Sequence, residues 1–599
     1  MKEKESQKLE IKRHSLAHIL AMAVLEMFPE VKFGIGPAVE NGFYYDFDLP
    51  RTLIPEDLEI LEEKMKKIIK ENYEFVMKEM KIKEAIKHFK KAGQPLKVEL
   101  LENLKNEGEE IVSVYKSGPL VDLCKGPHIQ STGEIDPSAL KLTKISGAYW
   151  LGDENKQQLQ RIYGVAFDNK KELRQYLFQQ EEAKKIDHRK LGKELDLFTI
   201  NQNVGSGLPL WKPKGAIILN ILKRWFEDEQ IKRDYFPVIT PHIGKKTLWE
   251  TSGHWGFYND SMFPPLELGQ TLEDYQDNRQ AKESETYLLK PMNCPFHVSI
   301  YNDDKHSYRD LPIKYYEFGT VYRYEKKGEL GGLTRVRGFT QDDAHIICTK
   351  EQLAGEMEKV IDFVQFVLEK TFGFKIKAYA SFREKDEKKY LGKSEDWEVA
   401  EKTIVDVLKS KKIDYTSEKG EAAFYGPKID FKVKDAIGRY WQLSTIQFDF
   451  NLPARFQMTY TDNNGLGEQP FIIHRALLGS LERFMGVLIE HYAGAFPAWL
   501  APVQVGILPV SDKFNSYAEK VSSALKGSGV RTEMYNQDEG LGKRIALATK
   551  QKIPYLLILG EKEMNEKTVT IRQRGNKKQQ TISVNKFIKT IQERIKQKK

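Results

Sequence analysis

The stretch Gly331–His345, GGLTRVRGFTQDDAH, combines three glycines with two arginines, a phenylalanine, two aspartates and a histidine. That composition suits an anion site better than a core. Arginine's planar fork gives a phosphate two parallel charge-assisted hydrogen bonds, where lysine gives a point charge. Just upstream, Val321–Glu325 (VYRYE) alternates apolar and polar residues as a half-buried strand does, and the glycine-rich piece reads as a turn into a second strand. The predicted antiparallel hairpin carries Arg323, Glu325, Arg335 and Arg337 at its working end. The plainer alternative is two solvated strands with surface ion pairs.

Two further groups of residues have spacing that chemistry can use. In HSLAHIL, His14 and His18 are four apart and share one helical face, and in VDLCKGPHI the same spacing separates Cys124 from His128. Two such pairs would suit tetrahedral zinc. They would equally suit a pocket that positions a hydrolytic water, or be histidines satisfied in a core. The run Phe471–Gly494 reads as one long apolar helix containing His474, Arg475, Glu482 and Arg483. Charges inside so apolar an element need partners, either a ligand phosphate or a structural salt bridge. Cys294 lies in KPMNCPFH, and Cys348 follows an apolar pair and is expected in a core.

The elements that must position these residues need more than one domain. At 599 residues the chain should hold about three to five. Its 40% hydrophobic and 30% charged content is ordinary for a globular chain, and no run of 18 apolar residues suggests a membrane span. The charged N-terminus MKEKESQKLEIKRH lacks the apolar region of a secretory signal. Three cysteines, an odd number, argue against a disulfide framework and for a reducing, cytoplasmic setting. A net charge of +8 permits an acidic partner without requiring one.

In chain order, a first unit covers residues 1–185, with an amphipathic helix near Glu56–Glu71 and a tail that interleaves aromatic and basic residues. A charged connector helix is predicted over Gln180–Leu197. A larger unit follows, 198–500, with a helix over Gly215–Gln230. Its segment YFPVITPHI is a strand that Pro237 and Pro241 confine to an edge or a subunit contact. The hairpin, a helix near Gln352–Lys370 and the strand YWQLSTIQFDF come next. From about Pro502, alternating strands and helices predict a small open α/β domain with a mostly parallel sheet.

With these pieces in order, the chain closely resembles the threonyl-tRNA synthetase family of class II aminoacyl-tRNA synthetases over nearly its whole length. The segment ending in ITPHI is similar to the first class II motif, VYRYE through RVRGFTQDDAH to the second, and LLGSLERF to the third. MNCP, RVRGFTQDDAH, AFYGPK and IHRALLGSLERF together are specific to the family. The resemblance implies an α+β multidomain protein: an α+β editing domain over 1–185 with its connector to about 197, a catalytic domain over 198–500 on a central antiparallel sheet, and an α/β anticodon-binding domain over 501–599. It further implies a homodimer built on the first motif, with threonine, ATP and tRNA(Thr) as substrates, and hydrolysis of mischarged seryl-tRNA(Thr).

By the same resemblance, Arg323 would hold the α-phosphate, Glu325 would accept from the adenine amino group, Arg335 would meet the β- and γ-phosphates, and Phe339 would stack on adenine. Arg483 would lie across the nucleotide, with Lys428 and Gln442 in the same pocket and Mg2+ on the triphosphate. Cys294, His345 and His474 match the family's ligands for one zinc per subunit, and Asp343, Tyr425 and Gln447 would complete the threonine pocket. His14, His18, Asp122, Cys124 and His128 match the editing site, expected to work without a metal. Glu539 and Arg544 are the expected anticodon contacts. Many members begin with a small ubiquitin-like domain for which there is no room before His14. Residues Phe263–Ser284 look like an insertion, and Phe296 and Leu151 stand where the family often has other residues. The rival readings are a silent synthetase-like RNA binder and a free-standing deacylase.

Overall fold

The computed structural model describes residues 2–153, 155–269, 272–277, 285–384, 389–434 and 438–598, so part of the Phe263–Ser284 segment lies outside the described residues. The chain divides into two compact units, Met1–Glu181 and Glu182–Lys599.

In the first unit, helix α1 (Lys2–Met27) is buried along nearly all of Leu16–Val24. A helix apolar on every side belongs inside a core, and α1 is packed there between strand β1 (Gly42–Asp48) and helix α2 (Pro55–Lys70). Asp57 fixes the start of α2 by accepting from Ile54 N at 2.8 Å and from both terminal nitrogens of Arg51 at 2.7 Å. A three-stranded antiparallel sheet joins β2 (Val76–Lys81), β3 (Ile111–Ser117) and β4 (Leu120–Leu123), with helix α3 (Pro95–Asn106) inserted between the first two. Strands β5 (Leu140–Tyr149) and β6 (Gln158–Ala166) pair with each other and, through β6, with β1.

The expected connector is two helices. Helix α4 (Lys170–Ile186) ends where Asp187 caps α5 (His188–Glu194), accepting from Arg189 N at 2.8 Å. After α6 (Pro213–Ile231) the prolines reduce the predicted strand to β7 (Phe236–Pro237), an edge strand. Helix α7 (Cys294–Asn302) precedes a hairpin of β8 (Ile313–Tyr322) and β9 (Gly338–Cys348). The strands stop short of the arginines, so Arg323–Arg337 is a loop. Helix α8 (Leu353–Gln365), followed by a π-helical turn, leads to β10 (Lys375–Phe382), β11 (Tyr415–Lys419), β12 (Lys428–Lys434) and β13 (Tyr440–Asp449).

The run Phe471–Gly494 is not one helix. It forms strand β14 (Phe471–Ser480) and then helix α9 (Leu481–His491). Gly479, at φ +69°, makes the bend, where a Cβ would lie 2.6 Å from Leu443 O. Ser480 caps the helix by accepting from Arg483 N at 3.1 Å. A central strand buried on both faces reads as a continuous apolar run, which periodicity cannot tell from a buried helix. The central sheet has the order β7-β8-β9-β14-β13-β12-β10-β11, antiparallel except for the parallel pairs at its two ends. One face packs on α6, α8 and α9 in the largest core cluster.

The C-terminal sheet orders β16 (Thr532–Met534), β15 (Val505–Pro509), β17 (Tyr555–Leu559), β18 (Thr568–Gln573) and β19 (Gln580–Ser583). Its first two ladders are parallel and its last two antiparallel, so the sheet is mixed rather than mostly parallel. Helices α10 (Asn515–Gly527) and α12 (Val584–Lys596) cover one core cluster, and α11 (Leu541–Lys550) covers another. Among the described residues no helix is long and apolar enough to cross a membrane.

Candidate active sites

Alternation along β9 puts Phe339, Gln341, Asp343 and His345 on one face of the sheet. Register then forms a row across four strands, Tyr315–His345–His474–Gln447. Cys294, at the start of α7, joins this row, so that one donor atom from each of Cys294, His345 and His474 lies within 4.8 Å of the others. The second nitrogens of both imidazoles are occupied. His474 Nε2 is 2.8 Å from Asp449 Oδ2, and His345 Nδ1 is 2.8 Å from His297 Nδ1, whose Nε2 is 3.3 Å from Glu317 Oε1. Nε2–H of His474 and Nδ1–H of His345 are the protons these contacts call for, leaving His474 Nδ1 and His345 Nε2 as lone pairs. Burial holds the His345 pKa well below its usual value, and it pushes the Cys294 thiol well up unless a cation offsets it. Two imidazoles held by outer partners, with one thiol, fit a zinc ion that keeps open positions.

Asp343, Tyr425 and Gln447 line the same 510 Å³ cleft. Asn293 Nδ2 donates to Asp343 at 3.0 Å, and Tyr425 OH donates to Gln447. Burial raises the Asp343 pKa, opposed by His297 and the Asn293 bond. A second cavity of 260 Å³ adjoins the cleft and shares Arg323, Glu325, Arg335 and Gln341 with it. Phe339, Gln442 and Arg483 line this second part, with the Arg323 guanidinium 5.2 Å from the Phe339 ring centre. Arg483 Nε donates to Thr334 O at 2.9 Å, and Arg335 Nε to Glu325 at 2.7 Å. Burial lowers the Arg483 pKa, and the nearby charges of Arg323 and Arg335 lower it further. Three guanidiniums therefore surround one cavity whose only acidic wall among the described residues is Glu325. An anion relieves that repulsion.

Not every expected residue joins the cleft. Lys428 lines neither cavity, because Asp430 holds its ammonium at 2.8 Å, and Gln442 Nε2 donates to the same carboxylate at 2.7 Å. Arg337 braces the loop, its Nε donating to Glu325 O at 2.9 Å. Arg475 has a structural salt bridge rather than a phosphate: buried, it lies 3.5 Å from Asp342 and donates to Gln230. Glu482 accepts from Thr340 N at 2.9 Å behind Phe339. His254 was missed. It is buried 4.0 Å from Cys294 Sγ, and its pKa is pushed down to about 3, chiefly by burial. Its signal was a histidine bracketed by glycines in SGHWG.

The first unit brings its predicted residues together as well. Donor atoms of His14, His18, Cys124 and His128 lie within 4.8 Å of one another. Cys124 Sγ is 3.2 Å from His14 Nε2 and 3.3 Å from His128 Nε2. Ser15 Oγ donates to Ile11 O and so accepts from His128 Nδ1 at 3.0 Å, which aims the Nε2 lone pair at the thiol. Burial pushes Cys124 up to about 11 and His128 down to about 2, so at neutral pH the pocket holds a thiol and neutral imidazoles. Asp122, 3.6 Å from His18 Nε2, is paired with Lys97 and accepts from Tyr45 OH. Lys97 and Tyr45 were missed, since neither carries a local signal. A cavity of 550 Å³ beside His14, Gly126 and Pro127 opens toward this pocket.

In the C-terminal domain Glu539 pairs with Lys543 at 2.7 Å. Arg544 departs from its expected role. Its guanidinium is buried, and Nη1 donates to Pro509 O at 2.9 Å and Tyr535 O at 2.8 Å, so it braces the strand ends from behind.

Three family models match the chain: a class II tRNA synthetase core domain (G, H, P, S and T) over residues 275–492, an anticodon-binding domain over 504–594, and the second additional domain of threonyl and alanyl tRNA synthetases over 112–163. A threonine–tRNA ligase of Gloeobacter violaceus is 48% identical over 99% of this chain and 94% of its own length, and one of Sulfurihydrogenibium is 48% identical over 100% and 90%. Among solved structures, the RNA-binding domain of threonyl-tRNA synthetase from Cryptosporidium parvum superposes at a TM-score of 0.63 with 38% identity, covering 68% of this chain and 98% of that one.

Proposed function

The chain belongs to the threonine–tRNA ligase family, and on that premise we propose a division of work among its residues. It is an aminoacyl-tRNA ligase with an editing domain, a class II core and an anticodon-binding domain. We assign residues 1–185 to editing with the connector to 197, 198–500 to ligation and 501–599 to the anticodon.

In the sheet cleft, a carboxylate oxygen of threonine attacks the α-phosphorus of ATP, the bond to the β-phosphate oxygen breaks and pyrophosphate leaves. The terminal ribose hydroxyl of tRNA(Thr) then attacks the acyl carbon and AMP leaves. Both steps move charge on phosphate, so catalysis is positioning and electrostatics. Arg323 takes the α-phosphate, Arg335 the outer phosphates with their Mg2+, and Arg483 the far side of the nucleotide. Phe339 stacks on adenine, and Glu325 accepts from its amino group. Gln442 lines this end through its backbone and its hold on Asp430, the residue that also retains Lys428.

Cys294, His345 and His474 are the residues that would hold zinc, which, when bound, offers open positions to the amino and hydroxyl groups of threonine and not to valine, which has no hydroxyl. Asp343, Tyr425 and Gln447 orient the amino acid. Serine differs by one methyl, worth only about 1–3 kcal/mol, so a second sieve is needed. In the first unit His14, His18, Cys124 and His128 hold the seryl ester and its attacking water, and Asp122 fixes Lys97 beside them. The thiol stays protonated, which favours a water nucleophile over a cysteine one. We read this site as working without a metal. Glu539, paired with Lys543, is the proposed anticodon contact, and Arg544 holds the backbone at Pro509 and Tyr535. A cytoplasmic homodimer accords with three free cysteines and with Phe236 and Ile239, 58% and 96% exposed on the first motif segment.

The observation that carries the ligation site is the shared wall: Arg323, Glu325, Arg335 and Gln341 line both the cavity with the metal donors and the cavity with the arginine cluster. Threonine-dependent exchange between pyrophosphate and ATP tests it. Arg323→Ala should abolish exchange while sparing hydrolysis of seryl-tRNA(Thr), and retained exchange would refute the phosphate role.

A further inference from the structure

The loop Arg323–Arg337 carries three of the residues assigned to ATP, and one buried side chain distant in sequence holds its tip. His188, the first residue of α5, is 4% exposed. Its Nδ1 lies 2.8 Å from Glu490 Oε1, and its Nε2 accepts the backbone N–H of Leu333 at 3.0 Å. The same carboxylate oxygen accepts the backbone N–H of His188 at 3.2 Å, while the other oxygen of Glu490 takes Arg439. These partners specify one neutral tautomer. The carboxylate needs a proton on Nδ1, which leaves Nε2 with only the lone pair that Leu333 uses.

The surroundings leave the ring no second position. Phe198 stacks alongside at 6.4 Å and 22°. Gly332, at φ +61°, passes so close that a Cβ there would lie 2.4 Å from Nε2. Leu333 itself is fully buried in the main core. The next residue, Thr334, gives its carbonyl to Arg483 Nε, and Arg335 follows. Two residues of backbone thus separate the imidazole from the guanidiniums of the nucleotide cavity.

We propose that His188 is a positioning residue for adenylate formation: it latches the tip of the phosphate-binding loop through Leu333, so that Arg335 and Arg483 meet the triphosphate already aligned. The inference rests on reading this cavity as the ATP site. Asp187, His188 and Glu490 do bring three donor atoms within 4.8 Å of one another. Both imidazole nitrogens, however, are spent on Glu490 and Leu333, Asp187 is spent on Arg189, and Glu490 on Arg439. The trio acts as a latch and not as a metal site.

Two near-isosteric variants separate the two bonds. In His188→Asn the amide nitrogen replaces Nδ1 and keeps Glu490, but nothing accepts from Leu333. In His188→Gln the amide oxygen reaches the place of Nε2 and keeps Leu333, but the donor to Glu490 is lost. His188→Asn should raise the ATP KM of pyrophosphate exchange about tenfold, the worth of one buried hydrogen bond, with threonine KM and seryl-tRNA hydrolysis unchanged. His188→Gln should stay within about threefold of the parent in ATP KM and should lower Tm instead. Amide hydrogen exchange at Leu333 and Thr334 should quicken in the first variant and not in the second. Where His188→Asn does not fold, Gly332→Ala, whose Cβ would meet Nε2, is expected to raise the ATP KM likewise. An unchanged ATP KM in folded His188→Asn, or equal losses in both variants, would overturn the latch. Arg323→Ala run in parallel separates the two failures. If it keeps exchange, the ATP reading fails and takes the latch with it; if only it loses exchange, the latch alone fails.

Discussion

Asp449→Asn changes the carboxylate to an amide and should cost the cleft most of its metal affinity while leaving the sheet intact. Asp449 is fully buried. Its Oδ1 accepts from Asn451 N at 2.7 Å and Leu452 N at 2.9 Å, and its Oδ2 lies 2.8 Å from His474 Nε2. An asparagine oxygen has two lone pairs and can keep both backbone bonds. Its NH2 group then faces His474 and calls for a lone pair on Nε2, which moves the imidazole proton to Nδ1, the nitrogen left for the metal. Restoring the ligating tautomer sets N–H against N–H and forfeits a hydrogen bond to a charged group, worth about 1.5–3 kcal/mol. At 1.4 kcal/mol per tenfold, that is roughly a 10–100-fold weaker metal site, the range known for outer partners of metal-bound histidine. Competition for zinc against a chromogenic chelator measures it, with circular dichroism confirming the fold. Threonine KM should rise with the loss of metal and ATP KM should not. An unchanged zinc affinity in the folded variant would refute both the ligand assignment and the tautomer argument.

Three other outcomes follow from the same geometry. Zinc content measured by mass spectrometry should fall in Cys294→Ser, and full retention would remove Cys294 from the ligand set. His18→Ala should lose clearance of seryl-tRNA(Thr) while aminoacylation with threonine is preserved, so wild-type deacylation in that variant would sink the editing assignment. The first unit should also weaken in acid. The folded state holds His128 neutral down to about 2, whereas an unfolded histidine takes a proton below about 6.5, so stability is lost as pH falls from 6.5 toward 2. At pH 5 His128 alone should cost about 2 kcal/mol by that linkage, with His14 and His18 shifted in the same direction. Hydrogen exchange along α1 at pH 7 and pH 5 reads this, and equal protection at both would contradict it.

What the sequence disclosed depended on how far apart the cooperating residues lie. The pairs His14/His18 and Cys124/His128 were legible because one turn of helix, or one tight segment, fixes each spacing. The arginine loop was legible from its composition. Cys294, His345 and His474 came from family resemblance, since what brings them together is the pairing of β9 with β14, a long-range choice with no local signature. The same dependence hid His297, Asp449, Lys97 and His188, whose neighbours belong to distant elements. It also explains Arg475, whose charge in an apolar run suggested a ligand, and Lys428 and Arg544, which the family resemblance suggested, since the fold had already given them Asp342, Asp430 and backbone carbonyls. Among the misread elements, β14 with α9 failed because burial on both faces erases periodicity.

The row Tyr315–His345–His474–Gln447 makes the sheet a gauge. Phe339 and His345 are six positions apart on β9, about 20 Å at ~3.4 Å per residue, and that span separates the end of the cleft proposed for adenine from the end proposed for the amino acid. Such a gauge reads only in whole steps. Inserting one residue between them would invert every side chain beyond it, and inserting two would open the gap by about 7 Å. Divergence in substrate choice on this scaffold is therefore confined to exchanging side chains at fixed marks. Between Gln341 and Asp343, β9 advances two residues while β14 advances four, from Ser480 to Ala476, and buried Asp342 accepts the N–H groups of Leu477 and Leu478 at 2.8 and 3.1 Å there. β14 takes up the extra length of that bulge, so the marks along β9 keep their spacing.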